Sequence, residues 1–347
     1  MTLVGGSHAA HGATFGRRGG REVVEEYGRA ERAVRAVRNA VGVIEMGYGV
    51  VVVSGEDRHA VVDDAVTNDV PDADGEGCYA LVLDTAGTVD TELFVYTTGE
   101  RLLLFTPPGR ADALVTRLGE SGADATVREA TTEFGVFGVH GPMATEKVAS
   151  VLHNAGAPTG AFSFVRGSMG DAGVSVVAGD APGGEESYEV ICAADDAEEV
   201  WTTLLSRGNG AAPFGYRTYE TLALEAGTPL FASEIRGNRP ESVGLTGAAG
   251  LPTGDDAHRR LVGIELGGEK GDPLPDPGAA VVDGGESVGR LTRACWSPSR
   301  SAAIGFAFVS RDATVTAVRA DGVEFPADRA SLPFVDGSDR SGRLPSF

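Results

Sequence analysis

Between positions 21 and 40 the apolar and small residues Val23, Val24, Tyr27, Ala30, Ala33, Val34, Val37 and Ala40 recur at steps of three and four. Glu and Arg fill the gaps, and the period predicts an amphipathic helix over 21–40. Beyond it the pattern shortens to strands over 48–54, 78–83, 93–97 and 101–106, with a helix over 59–66. LFVYTTGERLLLFT reads as a hairpin, because Thr98, Gly99 and Glu100 place a turn between two β-rich runs. Pro107, Pro108 and Gly109 end the second run, and 111–118 is helical in pattern. A similar alternation follows, with strands over 135–140, 162–165, 174–177 and 188–192 and helices over 144–153 and 197–205. Strands and helices mixed with hairpins predict an α+β fold with antiparallel sheet. The Gly-, Pro- and Thr-rich stretch 237–258 reads as a linker. Evenly spaced short strands over 261–266, 279–283, 287–294, 302–309 and 313–318 predict a small all-β barrel or sandwich at the end.

Charge changes what partners this chain can have. Its 347 residues carry 29 Lys+Arg against 50 Asp+Glu, a formal charge of −21. Such a surface repels phosphate backbones and anionic headgroups, so nucleic-acid and membrane-surface roles are excluded unless a local basic patch overcomes the field. Lys147 and Lys270 are the only lysines. An acidic, Lys-poor, Gly-, Ala- and Val-rich composition fits a protein working in concentrated salt, where counterions screen its self-repulsion. At about 150 residues per domain the length predicts two or three domains, and 42% apolar residues suffice for their cores. The opening MTLVGGSHAAHGATFGRRGG has no apolar signal core, and no apolar run approaches a membrane span, so a cytoplasmic protein is the expectation, and a monomer.

Motifs for direct chemistry are few. Cys78, Cys192 and Cys295 are odd in number and far apart, unlike a disulfide framework or a Cys-rich metal site. His8 and His11 have helical spacing but no third ligand in view, so no metal is expected. Phosphate-loop, dinucleotide and nucleophile-elbow signatures are absent, and Gly167, Gly170 and Gly173 read as a turn. In AGTVDTELFVYT, strand alternation puts Asp90, Glu92 and Phe94 on one face. Two carboxylates there could line a cleft, or could be solvated acids at a strand end. Glu185, Glu186 and Glu189 in GGEESYEVI carry the same two readings.

Several segments together resemble one superfamily. GYRTYETLALEAGTPLFASEI (215–235) is similar to the ARDTLRLEAGxPLYGxE signature of the glycine-cleavage T-protein, with Thr221, Leu222, Leu224, Glu225, Ala226, Gly227, Pro229 and Leu230 in register. GEESYEV resembles GEDGFEI, FGVFGVHGPMATEKVASVL resembles xALxALQGPxAxxVL, and VGRLTRACWSPSRSAAIGFAFV resembles the C-terminal barrel's IGxVTSGxxSPxxxxxIALAYV.

The resemblance implies a three-domain ring around a central opening for tetrahydrofolate. Its parts would be an α+β folate-binding domain over 1–130 to which 206–236 returns, a ferredoxin-like α+β domain over 131–205, the linker, and a barrel over 259–347. It implies that the acids of AGTVDTELFVY, Asp90 and Glu92, sit at the folate nitrogens as in the family's GGxxDDLIVY. Glu92 would reach one methylene further than aspartate, a shift of about 1 Å, which costs about 100-fold in rate. Glu185, Tyr188 and the aromatic at 95–96 (Tyr96) would contact the pterin, and Arg166 or Arg217 would meet the folate's anionic tail, aided by salt screening. Function is then one-carbon transfer with a lipoyl carrier as partner. The alternative is a folate-binding accessory protein of the YgfZ type supporting iron–sulfur enzymes. Against the latter stands the missing KGCYxGQE motif: after Leu245 the chain runs TGAAGLPTGDDAHRRLVGIEL, about ten residues shorter and without Cys.

Overall fold

The computed structural model describes residues 2–120, 124–252 and 257–347. Their contacts divide the chain into two compact units, Met1–Leu83 with Asp90–Ala181 and Glu186–Thr218, and Asp84–Val89 with Pro182–Glu185 and Tyr219–Phe347.

The first unit holds two sheets. One has the strand order Gly77–Leu83, Val89–Thr98, Arg101–Thr106, Gly49–Ser54 and Thr126–Glu129. Its central hairpin pairs Phe94 with Phe105 and Thr98 with Arg101, around the turn foreseen at Gly99, whose φ is 58°. Leu93 and Val95 point to one face with Val51, Val53, Leu102 and Leu104, and Leu114 and Leu118 of the helix Ala111–Gly119 cover them. By the two-residue period of a strand, Glu92, Phe94 and Tyr96 face the other way. The second sheet runs Phe164–Met169, Ala172–Ala178, Ser187–Ala193, Phe134–His140, Gly42–Glu45 and Ala212–Pro213. Helices Ala144–Val151 and Ala197–Ser206 pack Val148, Val151, Val200, Trp201 and Leu204 into its core.

The helix expected over 21–40 is two elements. Arg21–Glu26 is a strand paired antiparallel with Thr14–Arg18, and only Ala30–Asn39 is helical. Adjacent Val23 and Val24 are both buried, which suits a β-branched pair in a ribbon, and Gly28 at φ 85° breaks the chain before the helix. The ribbon's turn needs glycine: a Cβ on Gly19, at φ 54°, would lie 1.9 Å from the Pro108 carbonyl oxygen.

In the second unit, six strands close a barrel in the order Arg259–Leu266, Ala302–Ser310, Glu286–Ser297, Ala280–Asp283, Ala317–Ala320 and Val323–Ala330, the last pairing back onto the first. The expected terminal barrel is therefore present, with one more strand, Val323–Ala330, than the alternation disclosed. The 237–258 stretch is no open linker. It contains the short helix Pro240–Val243 and buries Val243, Leu245 and Ala249; positions 253–256 lie outside the described residues.

Two buried acids of the 215–235 signature fasten this unit. Glu225, fully buried, accepts from Ser297 Oγ at 2.6 Å, Ser299 Oγ at 2.8 Å and the Ser299 amide at 3.2 Å. Glu234, equally buried, accepts from the Leu230 amide at 2.9 Å, Thr292 Oγ1 at 2.8 Å and Arg293 Nε at 3.2 Å. Arg293 also donates to the carbonyls of Glu220 and Thr228 and lies over the Phe306 ring.

Candidate active site

Glu92 is the chemical centre of the outward face of the Val89–Thr98 strand. Its residue is only 7% exposed, and its Oε2 accepts a 2.8 Å hydrogen bond from the Tyr79 hydroxyl on the neighbouring strand. The hydrogen bond holds the carboxylate in one rotamer. Aromatic rings surround this pair. Phe94 lies 5.5 Å from Tyr79, 6.0 Å from Tyr48 and 6.1 Å from Phe162, centroid to centroid. Phe105 extends the group toward Tyr48 and Tyr96. Tyr48 and Phe162 are half-buried, so ring surface is offered at the edge of the cluster. Phe162 sits at φ 60°, a conformation uncommon for a bulky side chain, and marks a site where local structure is forced rather than relaxed.

The remaining predicted residues scatter. Asp90 shares the face of Glu92, but its carboxylate pairs with Arg110 at 2.5 Å and stands at the half-exposed rim. Tyr96 joins the aromatic cluster, fully buried, and burial raises its hydroxyl well above the usual tyrosine range, with the Glu189 charge adding to this. Tyr188 points into the second sheet's core, where its hydroxyl meets Thr145 Oγ1 at 2.8 Å. Its neighbour Glu189, on the opposite face, accepts from Tyr48 at 2.6 Å and so lies closer to the cluster. Arg166 is bidentate on Asp74 at 2.7 and 2.8 Å and donates to Thr98 at 2.9 Å. That guanidinium holds the Asp74 carboxyl down to about 2. Arg217 is exposed and 3.9 Å from Glu26. Glu185 belongs to the second unit.

Sequence reasoning missed Tyr79, Tyr48 and Phe162. A signal existed only for Tyr79, in the alternation of its own strand; the other two arrive from distant segments. Among the described residues no group of three or more His, Cys, Asp or Glu could hold a metal ion, and the three cysteines are free. Burial pushes the thiols of Cys78 up to about 11 and Cys192 up to about 12. Among the described residues no helix is long and apolar enough to cross a membrane.

Fold and site together define an α+β protein with a terminal β-barrel and a buried carboxylate set among aromatic rings. Residues 5–250 match the family model of the GCVT N-terminal domain, and residues 259–336 that of the glycine cleavage T-protein C-terminal barrel domain. The chain belongs to the glycine cleavage T-protein family. It is 30% identical to a probable aminomethyltransferase of Halobacterium salinarum over 95% of this chain and 97% of that protein. It is 28% identical to the aminomethyltransferase of Bacillus subtilis over 85% and 86% respectively. Its fold is similar to the crystal structure of the glycine cleavage system aminomethyltransferase T from Bartonella henselae, with a TM-score of 0.82, 19% identity, and coverage of 96% and 98% of the two chains.

Proposed function

We propose that this protein is a tetrahydrofolate-dependent aminomethyltransferase of the T-protein type, receiving its donor on a lipoyl carrier. The observation that carries the reading is the buried, tyrosine-held Glu92 carboxylate beside rings with exposed edges. Reduced folate pairs flat rings with N–H donors, and this surface pairs aromatic faces with an anionic acceptor, so the residues fit the group. When bound, tetrahydrofolate supplies the nitrogens that accept the one-carbon unit.

Everything else falls to the chain's own side chains. Glu92 accepts an N–H of the folate and, as a carboxylate, would take its proton. Tyr79 fixes the carboxylate and compensates for the extra methylene relative to aspartate. Tyr48 and Phe162 present ring surface and exclude water. Asp90, neutralised by Arg110, shapes the rim. Arg217 is proposed for the anionic tail; Arg166 could serve the tail only by giving up Asp74. Tyr188 acts through the core. The named relatives favour this activity over the iron–sulfur accessory role.

Calorimetry of the protein with tetrahydrofolate in concentrated salt should give binding heat. Adding an aminomethyl-loaded lipoyl carrier should release ammonia with repeated turnover. Heat without turnover would leave a folate-binding protein only, and absence of both would remove the reading.

A further inference from the structure

The chain passes from one sheet of the first unit to the other in three residues. Gly42–Glu45 lies in the second sheet and Gly49–Ser54 in the first, while Met46, Gly47 and Tyr48 between them belong to no strand. This crossing sets where the Tyr48 ring stands. Its start is held firmly: Glu45 accepts from the Leu3 amide at 2.8 Å and pairs with the buried His8 ring at 2.6 Å, and the Met46 amide donates to the Val136 carbonyl at 2.8 Å. At its far end Gly49 pairs with Thr106 in the first sheet.

The middle of the crossing depends on a side chain from a distant segment. Gly47 is buried, and its amide donates to the Tyr216 hydroxyl at 2.8 Å, across 169 positions of sequence. Tyr216 opens the helix Tyr216–Glu225, is only 8% exposed, and has the Arg18 guanidinium 5.1 Å from its ring centre. Burial raises its hydroxyl to about 12, so it stays a neutral phenol at working pH. A Cβ on Gly47 would lie 2.7 Å from Val23 Cγ1 and 3.2 Å from the Tyr216 oxygen, so the fit admits no side chain there. A buried amide deprived of its acceptor is costly, and the backbone shifts to find another. The next residue moves with it. That residue is Tyr48, whose ring packs 6.0 Å from both Phe94 and Phe105 and whose hydroxyl reaches Glu189 at 2.6 Å.

We propose that Tyr216 is a positioning residue for the reduced-folate site, acting through the Gly47 amide to hold the Tyr48 ring in place; the folate part of this rests on the function proposed above. Tyr216→Phe keeps the ring beside Arg18 and removes only the acceptor oxygen. In the ligand-free full chain, hydrogen exchange of the Gly47 amide should become at least tenfold faster, with exchange over 93–97 at the parent's rate. In steady-state assays the KM for tetrahydrofolate should rise about tenfold and kcat stay within threefold, because Glu92 and Tyr79 are untouched. Gly47→Ala, which displaces the same amide from the other side, should raise KM alike. A role confined to packing would add to any other loss, whereas a role through Tyr48 would not: in a Tyr48→Leu background, Tyr216→Phe should change KM by less than twofold. Unchanged Gly47 exchange in Tyr216→Phe, or an undiminished KM effect in the Tyr48→Leu background, would overturn the proposal. Faster Gly47 exchange in a protein whose parent shows no tetrahydrofolate binding would instead strike the proposed function, and the folate role of Tyr216 with it, leaving only the hold on the crossing.

Discussion

Glu92→Gln should lower turnover about 100- to 1000-fold while leaving the affinity for tetrahydrofolate within a few-fold, the range expected when an oriented charged group is removed from a reacting centre. The substitution is nearly isosteric. The Tyr79 hydroxyl can still donate to the amide oxygen, so the aromatic cluster keeps its packing and only the charge and the proton acceptor disappear. Asp90→Asn should cost less than tenfold, because its carboxylate is engaged with Arg110 at the rim. Tyr79→Phe separates holding from reacting. Without its 2.8 Å hydrogen bond the carboxylate loses the contact that holds its orientation, so kcat should fall about tenfold with little change in KM. Steady-state kinetics with folate and carrier, paired with calorimetry, reads all three. Equal effects of Glu92→Gln and Asp90→Asn would mean that the face has been misassigned.

Arg293→Met should destabilise the second unit by about 3–5 kcal/mol, because it leaves the buried Glu234 carboxylate without its cation. The two carbonyls that Arg293 serves, those of Glu220 and Thr228, would lose their donor as well. At a slope of about 2 kcal/mol per molar urea, the midpoint should fall by roughly 2 M. Adding Glu234→Gln to Arg293→Met should recover part of the loss, since no buried charge then remains unpaired. A loss below about 1 kcal/mol for Arg293→Met would show that water reaches the pair and that the acid is not a fastener.

That pair also shows what a sequence signature can encode. The 215–235 segment identifies the family, yet its two most deeply buried acids bind Ser297, Ser299, Thr292 and Arg293. In this chain both acids serve attachment to the barrel. The strand Val89–Thr98 was legible from its β-rich run, and alternation then sends Glu92 and Phe94 together to the face opposite Leu93 and Val95, a face that is also buried. Its aromatic surroundings were not, since Tyr48 and Phe162 come from outside the hairpin and meet Phe94 only through tertiary packing. Arg166 illustrates the same limit: nothing local announces Asp74, 92 positions away, as its partner. The false helix over 21–27 arose because the steps of three and four among Val23, Val24 and Tyr27 also fit a ribbon with a buried Val-Val pair, and only the pairing with Thr14–Arg18 decides between them.

The most direct measurement is a structure of the protein with a reduced folate bound. The account predicts the folate's rings against Tyr48 and Phe162 and a Glu92 carboxylate oxygen about 2.6–3.2 Å from a folate nitrogen, with the Tyr79 bond retained. A folate bound away from this face, with Glu92 contacting only Tyr79 and its own strand neighbours, would contradict it.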